Sequence, residues 1–151
     1  VTITDRNGKK LSPSSYEIIY KKTGKNVGTY QAQINFRGDY TGSKTISYQI
    51  LPKNSSLRSV KAKKKSFTVR WKKLTTKMPA KRISGYQIQY SEKPNFSKSK
   101  IKKISGYKKT NVTIKKLKSK KKYYVRIRTI LKSGGKTYYS NWSASKSVKA
   151  K

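Results

Sequence analysis

Apolar and polar residues alternate in short runs along most of this chain, and that period of two fixes the class of fold open to it. Residues 66–71 read SFTVRW and put Phe67, Val69 and Trp71 on one side. Residues 85–90 read GYQIQY and do the same for Tyr86, Ile88 and Tyr90. Similar runs occur at 16–20, 29–36, 44–50, 100–104, 110–114, 123–129 and 145–150. Successive side chains of a strand point to opposite faces, so each run reads as a half-buried strand. No sustained helical period competes with them. Turn residues separate the runs: Lys25-Asn26 before Val27-Gly28, Arg37-Gly38-Asp39 before Tyr40-Thr41-Gly42, and Gly134-Gly135. The expected fold is all-β, with two consecutive antiparallel sandwich modules. Leu51-Pro52-Lys53-Asn54-Ser55-Ser56 reads as a linker, because Pro ends strand pairing and Asn and Ser favour turns. The modules are therefore expected at residues 1–52 and 53–151.

Charge is the second constraint. Forty Lys and Arg face four acids, Asp5, Glu17, Asp39 and Glu92, for a net +36. Residues 1–52 carry eight bases and three acids, whereas residues 53–151 carry thirty-two bases and one acid. Charge on this scale opposes compaction and attracts acidic partners. Only seven of the bases are Arg, so the field is mostly lysine, a hydrated point charge that attracts polyanions without reading their geometry.

The same inventory removes most chemistry. The chain has no His and no Cys. Histidine triads, histidine or thiolate metal sites and disulfides are thereby excluded. The four carboxylates are scattered, so a paired-carboxylate hydrolase has no candidate acids. DRNG at 5–8 supplies one acid, too few for calcium, and reads as a turn. No catalytic residue, metal site or cofactor is expected. No run approaches the ~20 apolar residues of a membrane helix.

Trp71 at the end of SFTVRW, the GYQIQYS strand and LKSKKKYYVRI at 117–127 make the second half similar to a fibronectin type III module. The resemblance implies that Leu117 and Tyr123 form the family's tyrosine corner, with the Tyr123 hydroxyl bonded to backbone. It also implies that Val125 and Ile127 enter the core. Ser119-Lys120 stands where the family usually has Pro-Gly. VTITDRNGKKLSPSSYEIIY and NVGTYQAQINFRGDYTGSKTISYQI make the first half resemble a bacterial Ig-like repeat of Gram-positive surface proteins. Such repeats carry a further strand upstream, which implies an incomplete first module and other domains of a parent protein before it.

Two surface features remain. Alternation places Arg126 and Arg128 opposite Val125 and Ile127, where Trp142 of YSNWS can stack on both guanidinium groups. The second feature is lysine. Lys61, Lys63, Lys64 and Lys65 fall in the AB region of the fibronectin topology. Lys115, Lys116, Lys118, Lys120, Lys121 and Lys122 fall in its EF loop. Lys93, Lys98 and Lys100, in the CC′ connection, are expected at the same pole. Such a pole suits anionic cell-wall or host polymers such as teichoic acids, acidic glycans or mucins, and nucleic acid only non-specifically. The function expected is a secreted or cell-surface spacer or adhesion module. The alternatives are a dedicated polymer-binding adhesin and the accessory tail of a secreted cell-wall hydrolase or protease.

Overall fold

Strand-forming runs become sheets where the intervening residues let the chain reverse. In the computed structural model, which describes residues 2–21, 26–78 and 81–151, the chain divides into two units, 1–50 and 51–151. Val1 of the VTIT run and Lys25 of the Lys25-Asn26 turn lie outside the described residues.

The first unit is an antiparallel sheet of β1 (Tyr16–Tyr20), β2 (Gly28–Phe36) and β3 (Ser43–Ile50), in that order. Its register sets Ile18 opposite Ile34 and Tyr30 opposite Tyr48. Tyr48 is stacked against Tyr30 at 5.7 Å and meets the edge of Tyr20 at 5.6 Å. DRNG is a turn: the Asp5 carboxylate accepts from the backbone N–H groups of Asn7 and Lys9, both at 2.9 Å. Gly8 takes a left-handed φ of 79° there. Across this turn Thr4 of the VTIT run bridges Lys10, and Leu11 N–H donates to the Ile3 carbonyl at 2.9 Å. Among the described residues of this unit, only Leu11, Val27, Ala32 and Ile34 are buried hydrophobics.

The second unit has two sheets. One is β4 (Leu57–Lys63), β5 (Ser66–Trp71) and β8 (Asn111–Ile114). The other runs β10 (Lys136–Tyr139), β9 (Lys122–Ser133), β6 (Gly85–Ser91) and β7 (Lys100–Ser105), with β11 (Lys146–Lys149) paired to the start of β9. The inward residues are those that alternation selects. Phe67, Val69, Trp71, Tyr86, Ile88, Val125 and Ile127 are almost wholly buried, and Leu117 and Tyr123 close the core at one end. Trp71 packs against Tyr86 at 5.3 Å, and Phe67 against Tyr123 at 5.8 Å. The Tyr86 hydroxyl accepts from the Leu74 N–H and donates to the Tyr107 carbonyl, both at 3.0 Å. The Trp71 indole N–H is buried without a partner.

Gly85 is fixed by packing, since a Cβ there would stand 2.1 Å from the Ile104 carbonyl oxygen. Gly134 and Gly135, with φ of 54° and 72°, make the two-residue hairpin turn between β9 and β10.

Residues 51–56 follow the boundary between the units and lie outside any strand, but they pack into the second unit. Pro52 and Ser55 are buried, and the Ser55 hydroxyl donates to the Lys72 carbonyl at 2.6 Å. The buried Thr129 hydroxyl donates to the Lys53 carbonyl at 2.8 Å. Pro lacks an N–H but leaves neighbouring carbonyls free, and the Thr129 hydroxyl uses that of Lys53.

Trp71→Ala is expected to destabilise the second unit by about 3–5 kcal/mol, the usual cost of truncating a large buried aromatic. Trp71→Phe should cost less, because it keeps a ring in the core while removing an unpaired buried donor. Urea unfolding followed by far-UV circular dichroism measures both. Hydrogen exchange on dilute protein should find residues 16–50 less protected than 66–71 and 123–129, since the first sheet has open edges and little buried surface. Equal protection would contradict this.

Candidate functional site

The lysine-rich segments are turns and loop residues that the strand pairing of the second unit carries to one end. The β4–β5 hairpin turns at Lys64 and Lys65. The Lys65 carbonyl accepts from Leu117 N–H of the β8–β9 loop at 3.0 Å, and Lys65 N–H donates to the Lys151 carbonyl at 2.6 Å. Lys151 N–H donates to the Lys63 carbonyl at 3.1 Å, and Lys120 N–H to the Ala150 carbonyl at 2.9 Å. Backbone hydrogen bonds thus tie three sequence-distant segments together: 63–65, 117–121 and 150–151. Lys61 stands back from the turn, on β4 opposite Thr68. Lys61, Lys63, Lys64, Lys65, Lys115, Lys116, Lys118, Lys120, Lys121 and Lys122 are all exposed. Sequence reasoning missed Lys149 and Lys151, because only the pairing of β11 with β9 brings the chain end here.

Tyr123 holds this end from inside. Its hydroxyl accepts from Lys118 N–H at 3.1 Å, which pins the β8–β9 loop over the core beside the buried Leu117. The loop that lacks Pro-Gly turns instead with Lys116 and Lys120 in the left-handed region, both at φ 60°. Lys65, Phe96 and Lys98 adopt φ of 46°, 59° and 51°. Every non-glycine residue described with a positive φ therefore lies in one of three connections: β4–β5, β6–β7 or β8–β9. Left-handed backbone costs an L-residue roughly 1–2 kcal/mol, which the neighbouring hydrogen bonds offset.

The β6–β7 connection closes on the β8–β9 loop around an open cleft of about 320 Å³. Lys93, Lys98, Lys100, Lys116 and Lys118 line it, together with Glu92, Tyr90 and Tyr123. Glu92 is its one carboxylate, 3.9 Å from the Lys118 ammonium and 3.5 Å from the Tyr123 hydroxyl. Burial, with a smaller contribution from Tyr123, pushes the Tyr90 phenol above its ordinary pKa, so it stays a neutral hydroxyl.

The outer face of the larger sheet carries the second constellation. The Arg126 guanidinium lies over Phe96 at 4.0 Å and Trp142 at 4.8 Å. Arg128 lies over Trp142 at 4.3 Å and Tyr139 at 4.1 Å. The result is a ladder in the order Phe96, Arg126, Trp142, Arg128, Tyr139. Register aligns each Arg with a Gln of β6, and the Arg Nε groups donate to Gln89 and Gln87 side-chain oxygens at 2.6 Å. Burial pulls both arginines below their ordinary pKa; for Arg128 the nearby Arg126 charge adds to this and Tyr139 opposes it. Trp142 is held because Ser140 and Ser143 hydroxyls accept from Thr129 and Ile127 N–H groups at 2.9 and 3.1 Å. Phe96, Tyr139, Gln87 and Gln89 escaped the sequence reading. The Gln87 and Gln89 positions opposite Arg128 and Arg126 were the available signal, but only a known strand register reveals it.

Among the described residues no three His, Cys, Asp or Glu side chains gather as a metal site, and no helix is long and apolar enough to cross a membrane.

The fibronectin type III domain family matches residues 52–146. Residues 1–51 fall outside that match. The chicken CNTN1 FN1–FN3 structure is 18% identical, with a TM-score of 0.55, covering 83% of this chain and 43% of that one. The third fibronectin III domain of human KIAA0343 protein is 20% identical, with a TM-score of 0.51, covering 63% and 78%. Identities this low show a shared fold. No curated protein sequence matches the chain.

Lys120→Gly should raise stability by about 0.5 kcal/mol, because glycine takes the left-handed conformation without penalty. Lys120→Ala removes the same charge but keeps the strain. If both variants gain equally in thermal unfolding, relief of repulsion and not of backbone strain is responsible.

Proposed function

The chain belongs to the fibronectin type III domain family through residues 52–146, and from that premise we propose that it is a non-catalytic extracellular spacer and adhesion module which attaches to anionic surface polymers. One observation carries the reading: lysines from the β4–β5 turn, the β8–β9 loop and the chain end share one hydrogen-bonded end of the unit. The unit's only acid, Glu92, also lies there. Lysines in this arrangement offer many weak, adjustable contacts and no bidentate fork, which suits a flexible polyanion. Nucleic acid would bind the same field without sequence preference. We read residues 1–52 as a bacterial Ig-like repeat, supported by its sequence likeness and its three-stranded antiparallel sheet. On that reading the chain comes from a Gram-positive surface or secreted protein. A hydrolase or protease with this module as accessory tail would use the same attachment.

The test compares two charge-matched variants. Six lysines of the β8–β9 loop (Lys115, Lys116, Lys118, Lys120, Lys121 and Lys122) are replaced by Gln in one. Lys9, Lys10, Lys21, Lys22, Lys25 and Lys44 of the first module are replaced in the other. Each exposed contact is worth roughly 0.3–0.5 kcal/mol, so losing the loop set should weaken binding to teichoic acid or an acidic glycan by about twenty-fold or more. The first-module set should cost much less. Affinity should also fall steeply with salt, as the screening length shortens to ~8 Å at physiological ionic strength. Equal losses from both sets would mean that total charge, not the pole, binds the polymer.

A further inference from the structure

A field of lysines binds any polyanion, but the cleft between the β6–β7 connection and the β8–β9 loop contains more than charge. It has the volume of a small ligand site, at the low end of the roughly 300–1,000 Å³ that such sites occupy. Its wall is held in place. Ser91 Oγ donates to the Ser97 carbonyl at 2.8 Å and accepts from Lys93 N–H at 3.0 Å. Asn95 Oδ1 accepts from Ser97 N–H at 3.0 Å. Phe96, the outermost rung of the cation–aromatic ladder, anchors the same connection under Arg126. Between these anchors Ser97, a lining residue, has a hydroxyl shielded from solvent and without a hydrogen-bond partner. Lys98 and Lys116, on opposite walls, both take left-handed backbone. Strain of this kind gathers where a site requires a particular geometry.

Glu92 is the discriminating group. Among five cleft lysines it makes one loose ion pair, 3.9 Å to Lys118, whose side chain is largely exposed while that of Glu92 is about half-buried. A bare polyanion gains nothing from a carboxylate in its path, because like charges repel. A ligand with hydroxyl groups beside its anionic group gains a charge-assisted hydrogen bond from it. The Tyr90 hydroxyl adds a neutral polar partner for the same kind of ligand.

We infer that this cleft is a subsite for one unit of a polyhydroxylated polyanion, with its carboxylate or sulfate on the lysines and its ring hydroxyls on Glu92 and Tyr90. The inference rests on the reading of the lysine pole as a polyanion attachment surface, and adds selection for acidic polysaccharides over charge-matched polymers that lack hydroxyls.

Glu92→Gln tests it, because the two explanations predict opposite signs. The full chain and the variant are titrated calorimetrically at low salt with a galacturonate octasaccharide, its sulfated-glucan counterpart and inorganic polyphosphate of matched charge. The subsite predicts about a tenfold loss of affinity for either sugar, from one charge-assisted hydrogen bond, with polyphosphate affinity unchanged or raised. If affinity for sugars and polyphosphate rises together, Glu92 merely tempers the lysine field, and the subsite is overturned while the pole stands. A loss shared by polyphosphate also overturns it, because a ligand without hydroxyls then reports a disturbed lysine arrangement. If the unmodified chain binds none of the three, both the pole and the subsite are wrong.

Discussion

The packing of Trp71, Tyr86, Phe67 and Tyr123 between two sheets is the interaction on which the rest of this structure depends. Thirty-two bases and one acid lie in the fibronectin-like half, and their repulsion acts against any compact state. The aromatic core must offset that repulsion together with the chain entropy lost on folding. It does so through inward alternation, which keeps lysine outside on nearly every strand. β7 shows the limit: Lys100, Lys102 and Lys103 coat an edge strand that buries Ile104 and leaves Ile101 exposed. Charge on an edge also discourages pairing with another chain.

The same core fixes the charged end. Tyr123 faces inward, yet its hydroxyl reaches the backbone of Lys118 and so positions the β8–β9 loop. That loop bonds to the β4–β5 turn, and the chain end bonds to both. Mutually repelling lysines are thus held at close quarters by neutral backbone hydrogen bonds. The left-handed lysines record the cost of this arrangement.

The ladder on the outer sheet face solves a related problem. Two arginines sit on adjacent outward positions of β9, where their charges repel and are partly desolvated. Aromatic rings above and below each guanidinium, and a glutamine oxygen at its edge, replace the lost water. Through Phe96 the ladder also braces the β6–β7 connection, so core, ladder and cleft form one mechanical chain.

The sequence alone determined which residues face inward, because side-chain direction in a strand follows from period-two alternation. Phe67, Val69, Trp71, Tyr86 and Ile88 were readable in that way, and family likeness added Leu117, Tyr123, Val125 and Ile127. It also determined the sign and unevenness of the charge and, from the missing His and Cys, which chemistries the chain lacks. The Arg126–Trp142–Arg128 stack was legible as far as one strand's own alternation reaches. Its outer rungs and its glutamines were not, because they depend on register between strands far apart in sequence. Residues 51–56 show the same limit: their Pro and Ser composition reports a segment outside the strand ladders, not the distant partners, which are the Lys72 carbonyl for the Ser55 hydroxyl and the Thr129 hydroxyl for the Lys53 carbonyl. Only the tertiary structure decided that Lys151 joins the pole, that Glu92 stands among five lysines, and that Lys116 and Lys120 turn where glycine would be easier. Each of these is a meeting of segments tens of residues apart, and local sequence carries no information about such meetings until the core has drawn the strands together.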